Sequence, residues 1–329
     1  MATVCGLLLD SHGAAVTIWG AFPDHVASLV QTRRSHRLPS ARIPDSVSLT
    51  SDDHAAFEGT GLIVSAVPTQ YIRRVWQRLA PQVPPAVPIV SVAKGIETDT
   101  LMRPSQIIAD CLGHAGGDDP DKPARPLASL SGPSVAEELA RCLPATVCAA
   151  SDDPDLAARV QQVFTTNWFR VYTNEDLLGV ELAGATKNVI ALAAGILDGL
   201  QAGNNAKSAL LSRGLVEITR LGLAMGAQAG TFYGLAGVGD LATTCFSPTG
   251  RNRTCGEQLG KGVKLQTVLD TIHGVVEGVP TTKAVVCLAE KYRVEMPITA
   301  AVHAVLFEHL DPIEAISQLM SRQLKSEQL

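Results

Sequence analysis

The 329-residue chain is short of aromatic side chains, at 4 %, and of charge, at 18 %. It has no CxxC pair, no His-rich zinc spacing, no low-complexity tract and no internal repeat. Each shortage excludes something. An apolar content of 46 % with little charge excludes wholesale disorder, and with so few rings the cores must rest on Ala, Leu and Val. Acids outnumber bases 32 to 27, for a net charge of −5, which excludes the basic footprint of a nucleic-acid-coating protein. The seven cysteines, at 5, 111, 142, 148, 245, 255 and 287, are odd in number and scattered, so neither a disulfide framework nor a metal site is expected. They are expected to be reduced thiols acting as small core residues of a cytosolic protein. No basic segment opens the chain, and Asp10 and His12 interrupt its first apolar run, so no signal peptide is expected. The longest uncharged stretch, 221–239, has 19 residues but six glycines; it reads as a helix end and glycine-rich loops, and no stable membrane insertion is expected.

What is present falls into two halves. From 14 to 176, short apolar runs alternate with helical segments: Ala15-Val16-Thr17-Ile18-Trp19, then 62–67 stopped by Pro68, then 89–93 stopped by Lys94-Gly95. Further candidate strands are 127–130, 145–149 and 168–172. Continuous apolar strands between helices predict an α/β domain, a parallel sheet covered on both faces, over 1–176. Such sheets bind ligands beyond the strands' carboxyl ends, where Gly20, Thr69-Gln70 and Lys94 fall. The stretch 114–126 reads as a polar surface loop. From 177 to 329 the periodicity is helical, over 177–200, 207–225 and 283–310, with Asn204-Asn205 available as a cap. The expectation is a nucleotide-binding domain followed by an all-α substrate domain, with the site between them.

Three constellations could carry chemistry. In VELAGATKNVIALAAGILDGL, Lys187 is the only ionisable residue between Glu181 and Asp198. Desolvation among Ala, Val and Ile would lower its pKa into the range of a general acid or base. The alternative is a lysine that snorkels to water from a helix edge. In GLAGVGDLATTCFSPTGRNRTCG, Asp240 is the only acid, and Arg251, Asn252 and Arg253 offer donors suited to phosphate oxygens. The alternative is a solvated loop with Asp240 capping a helix. In LSGPSVAEE, Ser131 to Ser134 break a strand and Glu137-Glu138 begin a helix, a junction that could aim N–H groups at an anion. Lys94 after a buried strand adds a second cation at the sheet's ligand edge; taken alone, the residue reads rather as a surface lysine at a turn.

Together these segments resemble the NAD(P)-dependent glycerol-3-phosphate dehydrogenases of the bacterial type. The resemblance runs through Val64-Ser65-Ala66-Val67-Pro68-Thr69-Gln70, Ser91-Val92-Ala93-Lys94-Gly95-Ile96-Glu97, 130–136, 181–189, 234–241, 251–253 and 275–279, in order, from about residue 1 to about 310. It implies a Rossmann-type domain and a helical domain in a homodimer, NAD or NADP as cofactor, and a phosphorylated three-carbon substrate. The implied reaction interconverts sn-glycerol 3-phosphate and dihydroxyacetone phosphate, for phospholipid synthesis. Lys187 stands where the family has its proton donor and acceptor. Lys94, Gly132, Ser134, Asp240, Arg251 and Asn252 stand where it holds the substrate, and Lys94, Ala136, Arg251, Val275 and Glu277 where it touches the dinucleotide. Asn188 and Thr244 also look placed to bond substrate.

Three departures qualify the match. Gly250 stands where many members have Ser, so a contact there must come from backbone. Ala21 stands where the family often has an arginine that favours a 2′-phosphate, which leaves the choice between NAD and NADP open. The family also opens with a strand and a G-x-G-x-x-G-like loop, whereas ATVCGLLLDSHG aligns with the helix that follows them; the Rossmann-type domain is therefore expected to lack its first strand. Two other readings stay open: a related β-hydroxy acid dehydrogenase, or a non-catalytic paralogue that has lost dinucleotide binding.

Overall fold

The computed structural model describes residues 1–113, 125–324 and 326–327, and the chain forms two compact units. The first comprises Met1–Val67, Tyr71–Ala93 and Pro104–Leu177; the second comprises Pro68–Gln70, Lys94–Arg103 and Leu178–Leu329. Most of the polar stretch 114–126 lies outside the described residues.

The first unit opens with α1 (Ala2–Asp10), followed by β1 (Thr17–Trp19), α2 (Pro23–Thr32), the hairpin β2 (Arg34–Ser35) and β3 (Leu38–Arg42), and β4 (Ser48–Thr50). Then come β5 (Ile63–Ser65), α3 (Thr69–Leu79), β6 (Ile89–Ser91), α4 (Pro104–Cys111), β7 (Leu127–Ser131), α5 (Ala136–Leu139), β8 (Ala145–Ser151), α6 (Pro154–Phe164) and β9 (Phe169–Asn174). Strands β5 to β9 form one sheet in chain order, while β1 and β4 pair in parallel as a separate ladder. The apolar runs become strands because both faces of the sheet are covered. All of β6 is buried, and Val64, Val90 and Ala128 stand in register across β5, β6 and β7. The ladder is parallel except at β7–β8, which run antiparallel with Leu130 opposite Ala149. A fully buried antiparallel strand reads as an unbroken apolar run too, so ATVCAA carried no directional signal. Helix α6 starts where Asp153 accepts from the amides of Asp155 and Leu156 at 3.0 and 3.2 Å, a cap worth about 1 kcal/mol. Its buried face, with Leu156, Val160 and Phe164, joins Val147, Ala149, Phe169 and Val171 in the unit's core.

The second unit is built from α7 (Leu177–Gly199), α8 (Gly203–Ala224), α9 (Ala229–Phe232), α10 (Asp240–Phe246), α11 (Arg251–Gly260), α12 (Leu265–Thr271), α13 (Gly278–Tyr292), α14 (Pro297–Phe307) and α15 (Pro312–Met320). Helix α7 is long and apolar enough to cross a membrane, but its most apolar window is 94 % buried as the centre of this unit. Glycines let α7 and α11 meet backbone to backbone. A Cβ on Gly195 would lie 1.9 Å from the Arg253 carbonyl oxygen, and one on Gly256 would lie 2.0 Å from that of Leu192. Gly199 and Gly260 repeat the contact one turn along. This crossing fixes the body of α11 against the helix that carries Lys187.

Three helical details depart from the sequence reading. Helix α8 starts at Gly203, so Asn204 and Asn205 lie in its first turn and cap nothing. The expected single helix over 283–310 is two: Arg293 closes α13 in the left-handed conformation at φ 55°, and Pro297 opens α14. The buried Glu217 of α8 supplies the cap that α14 lacks locally, accepting from the amides of Ile298 at 2.6 Å and Thr299 at 3.2 Å. None of the seven cysteines is in a disulfide; Cys5, Cys148, Cys245 and Cys255 are buried as expected, but Cys142 and Cys287 are exposed.

Candidate active site

The site of the second unit is built around one buried carboxylate. Asp240 occupies the first position of α10, yet its side chain does not cap that helix. It points inward, 2 % exposed, and is shared by two lysines: Lys187 Nζ donates to Oδ1 and Lys94 Nζ donates to Oδ2, each at 2.7 Å. Lys187 reaches it from the middle of α7 and is itself 6 % exposed, so the snorkelling alternative fails. Lys94 is mostly buried and is no solvated turn residue.

Burial is the main force on Lys187, and it lowers the pKa from 10.5 to about 8. Asp240 opposes that shift, while the charge of Lys94 adds to it. Two ammonium groups on one carboxylate leave one positive charge in excess, a surrounding that favours an anion. Cys245, also on α10, is inert: burial pushes its thiol up to about 12.

Hydrogen bonds between amides set the register around this cluster. The Gly278 amide donates to Asn252 Oδ1 at 2.9 Å, which fixes the orientation of that side chain, and Asn252 Nδ2 then donates to Asn188 Oδ1 at 2.8 Å. Asn188 Nδ2 in turn donates to the Lys94 carbonyl at 2.9 Å and to that of Gly184 at 3.4 Å. The segment of Lys94 and the helices α7, α11 and α13 are thereby tied into one lattice. The amide of Asn188 has protein partners on both its nitrogen and its oxygen, so in this structure it acts as a strut.

At the start of α11, Arg251 Nη1 donates to the Val275 carbonyl at 2.8 Å, and its side chain is largely exposed. Gly274, at φ +104°, makes room for it, since a Cβ there would approach Arg251 Nη1 to 3.0 Å. Gly250 is the N-cap of α11, and Thr244 lies one turn along α10 from Asp240, half-buried. Glu277 accepts from the Thr69 amide at 2.9 Å through Oε1, and burial raises its pKa. Its Oε2 and the Thr69 hydroxyl are buried with no hydrogen bond of acceptable geometry. This carboxyl acceptor and the exposed Arg251, whose charge it feels, form a donor and acceptor set whose chemistry suits the carboxamide and phosphates of a dinucleotide.

Gly132, Ser134 and Ala136 belong to the first unit, at the carboxyl end of β7. Gly132 has φ +132°, and a Cβ there would sit 2.9 Å from Val147 Cα, so only glycine fits. The Ser134 hydroxyl donates to the Gly132 carbonyl at 2.9 Å. The helix that follows this junction adds little to its N–H groups. Helix α5 has four residues, carries Glu137 and Glu138 in its first turn, and is too short for a useful dipole.

Arg253 corrects an expectation. Its guanidinium does not offer itself to a phosphate; it is turned into the protein, paired with Asp198 and bonded to the Ser247 carbonyl. The sequence reading placed Thr69 only at the sheet's ligand edge and gave no role to Asp198, Lys207 or the Arg103–Glu181 pair that ties the Lys94 segment to α7. Only Arg253 carried a signal: it is two residues from Arg251 on a helix, and positions so spaced face nearly opposite ways.

An α/β unit with its ligand edge at the carboxyl ends of β5, β6 and β7, and an all-α unit holding a buried lysine of lowered pKa, fit the class of two-domain nicotinamide-dependent dehydrogenases. Comparison with known proteins gives the particular kind. The descriptions "NAD-dependent glycerol-3-phosphate dehydrogenase N-terminus" and "C-terminus" match residues 3–157 and 176–317. Glycerol-3-phosphate dehydrogenase [NAD(P)+] of Geobacter sp. (strain M21) is 45 % identical over 321 residues, covering 97 % of this chain and 94 % of that protein. That of Geobacter sulfurreducens is 46 % identical over 330 residues, covering 99 % and 95 %. The crystal structure of glycerol-3-phosphate dehydrogenase from Coxiella burnetii superposes with a TM-score of 0.91 at 36 % identity, covering 97 % of this chain and 95 % of that one. The chain belongs to the NAD-dependent glycerol-3-phosphate dehydrogenase family.

Proposed function

We propose that this enzyme interconverts sn-glycerol 3-phosphate and dihydroxyacetone phosphate with NAD(P)(H), and that Lys187 moves the proton. The observation that carries the reading is the Lys187–Asp240–Lys94 cluster. When bound, the nicotinamide cofactor supplies or accepts the hydride at C2 of the substrate. Lys187 as ammonium gives its proton to the C2 oxygen in reduction; as neutral amine it takes that proton in oxidation. The cluster accordingly moves between one excess positive charge and none. Asp240 holds Lys187 in place in both states, and the charge of Lys94 lowers the cost of the neutral one. The excess charge also stabilises an alkoxide developing at C2.

Arg251 and Asn252, with Gly250 backbone and Thr244, suit the phosphate end of the substrate, and their remote binding energy orients C2. Glu277 and Val275, with Lys94 and Arg251, suit the cofactor, and Gly132, Ser134 and Ala136 are proposed contacts from the first unit. A cytosolic homodimer feeding phospholipid synthesis is part of the same proposal, supported by the family's membership. The test is dihydroxyacetone phosphate-dependent oxidation of NADH and of NADPH. Turnover with either coenzyme supports the proposal; turnover with neither, in protein that binds both, contradicts it.

A further inference from the structure

Outside the proton-transfer cluster, the second unit holds another shared carboxylate. Asp198 lies on α7 eleven residues beyond Lys187, three turns along and on nearly the same face. It accepts from Lys207 of α8 at 2.8 and 2.7 Å and from Arg253 of α11. Burial would raise its pKa, but the bonds from Lys207 and Arg253 outweigh that and hold it below the usual carboxylate range. Lys207 is itself buried, with its ammonium 4.9 Å from the centre of the Phe246 ring. Arg253 divides its remaining donors between the turn linking α10 to α11 and its own helix: Nε bonds the Ser247 carbonyl at 2.8 Å, and Nη2 lies 3.4 Å from the Pro248 carbonyl and 3.3 Å from Glu257 Oε2. That turn leaves the helix of Asp240 and delivers Gly250 and Arg251.

We propose that Asp198 is a positioning residue for the substrate's phosphate end: through Arg253 it fixes the Ser247–Gly250 turn that leads into α11, and so the placement of Arg251. The body of α11 does not depend on it, because the glycine crossing with α7 and the Asn188–Asn252 bond already seat that helix. Loss of the Asp198 charge therefore loosens the turn and the phosphate grip, and leaves the Lys187–Asp240–Lys94 geometry in place. A merely structural pair would affect every substrate alike. The proposal rests on the reading that Arg251 holds the phosphate.

The experiment measures steady-state kinetics with dihydroxyacetone phosphate and with unphosphorylated dihydroxyacetone for Asp198→Asn, Arg253→Lys and Arg251→Ala. Asp198→Asn leaves Lys207 short of an anion; Arg253→Lys keeps the charge, loses only the fork and serves if the first variant does not fold. The expected result is a KM for dihydroxyacetone phosphate raised about tenfold or more with kcat within about twofold. Values for dihydroxyacetone should be unchanged, and Asp198→Glu should restore part of the loss. Equal losses for both substrates, or an unchanged KM in folded Asp198→Asn or Arg253→Lys while Arg251→Ala raises it, overturn the proposal. If Arg251→Ala also leaves the KM unchanged, the phosphate reading itself is wrong and the proposal falls with it.

Discussion

Lys187 and Asp240 meet at 2.7 Å across 53 residues of sequence, both almost wholly buried. The pair is not an ordinary structural ion pair, because the carboxylate is divided between two lysines. Lys187 therefore lacks full compensation for its burial, and its pKa falls to about 8 where a fully paired lysine would keep its charge. The geometry produces a proton carrier from a residue that is ordinarily too basic.

Lys187→Ala is expected to fold, because Asp240 keeps Lys94 and an α-helix accepts alanine. Its kcat/KM should drop by about 10²–10⁴-fold. Lys187→Arg should be as inactive, since a guanidinium keeps its proton across this pH range. Circular dichroism and steady-state rates check both; an arginine variant turning over near the wild-type rate would show that charge alone suffices.

Glu217 makes stability depend on pH. Burial raises its carboxyl from 4.5 to about 7 against the amides of Ile298 and Thr299. The folded state thus holds a proton that the unfolded state has lost, and stability falls as pH rises through that window. The loss should total roughly 3 kcal/mol and be complete above about pH 7. Denaturant midpoints across the window should decline in the wild type, and this part of the decline should vanish in Glu217→Gln.

The glycine crossing is expected to be intolerant. Gly256→Ala places a methyl 2.0 Å from the Leu192 carbonyl oxygen, where only backbone movement relieves it. The loss should exceed ~3 kcal/mol, as for severe overpacking. Gly230→Ala, with nothing within 4 Å of the added Cβ, should stay within about 0.5 kcal/mol. Equal unfolding midpoints for the two would refute the close contact between α7 and α11.

Much of this was legible before the structure. The apolar runs at 62–67 and 89–93 became β5 and β6 because burial on both faces requires continuous apolar strands. Lys187 stood out because nothing charged surrounds it in sequence, and desolvation follows from that isolation alone. Its partner could not be read the same way: Asp240 comes into reach only when α10 folds onto α7, and no local pattern encodes that distance. Arg251 and Arg253 looked alike as phosphate donors, but helical geometry turns them to different sides and gives Arg253 to Asp198. The antiparallel β8 and the break at Arg293 were hidden by apolar periodicity that runs on through both, although Pro297 marked the second.

The central claim is that Lys187 exchanges the substrate's proton with a pKa set partly by Lys94. The most direct measurement is the pH dependence of kcat/KM for glycerol 3-phosphate oxidation in the wild type and in Lys94→Met. Oxidation needs neutral Lys187, so the rate should rise with pH and level off above about 8 in the wild type. Removing the Lys94 charge relieves repulsion of the Lys187 ammonium, so the same limb should move to higher pH, whatever the variant's absolute rate. A limb that stays where it is without Lys94, or that persists in Lys187→Ala, would contradict the account.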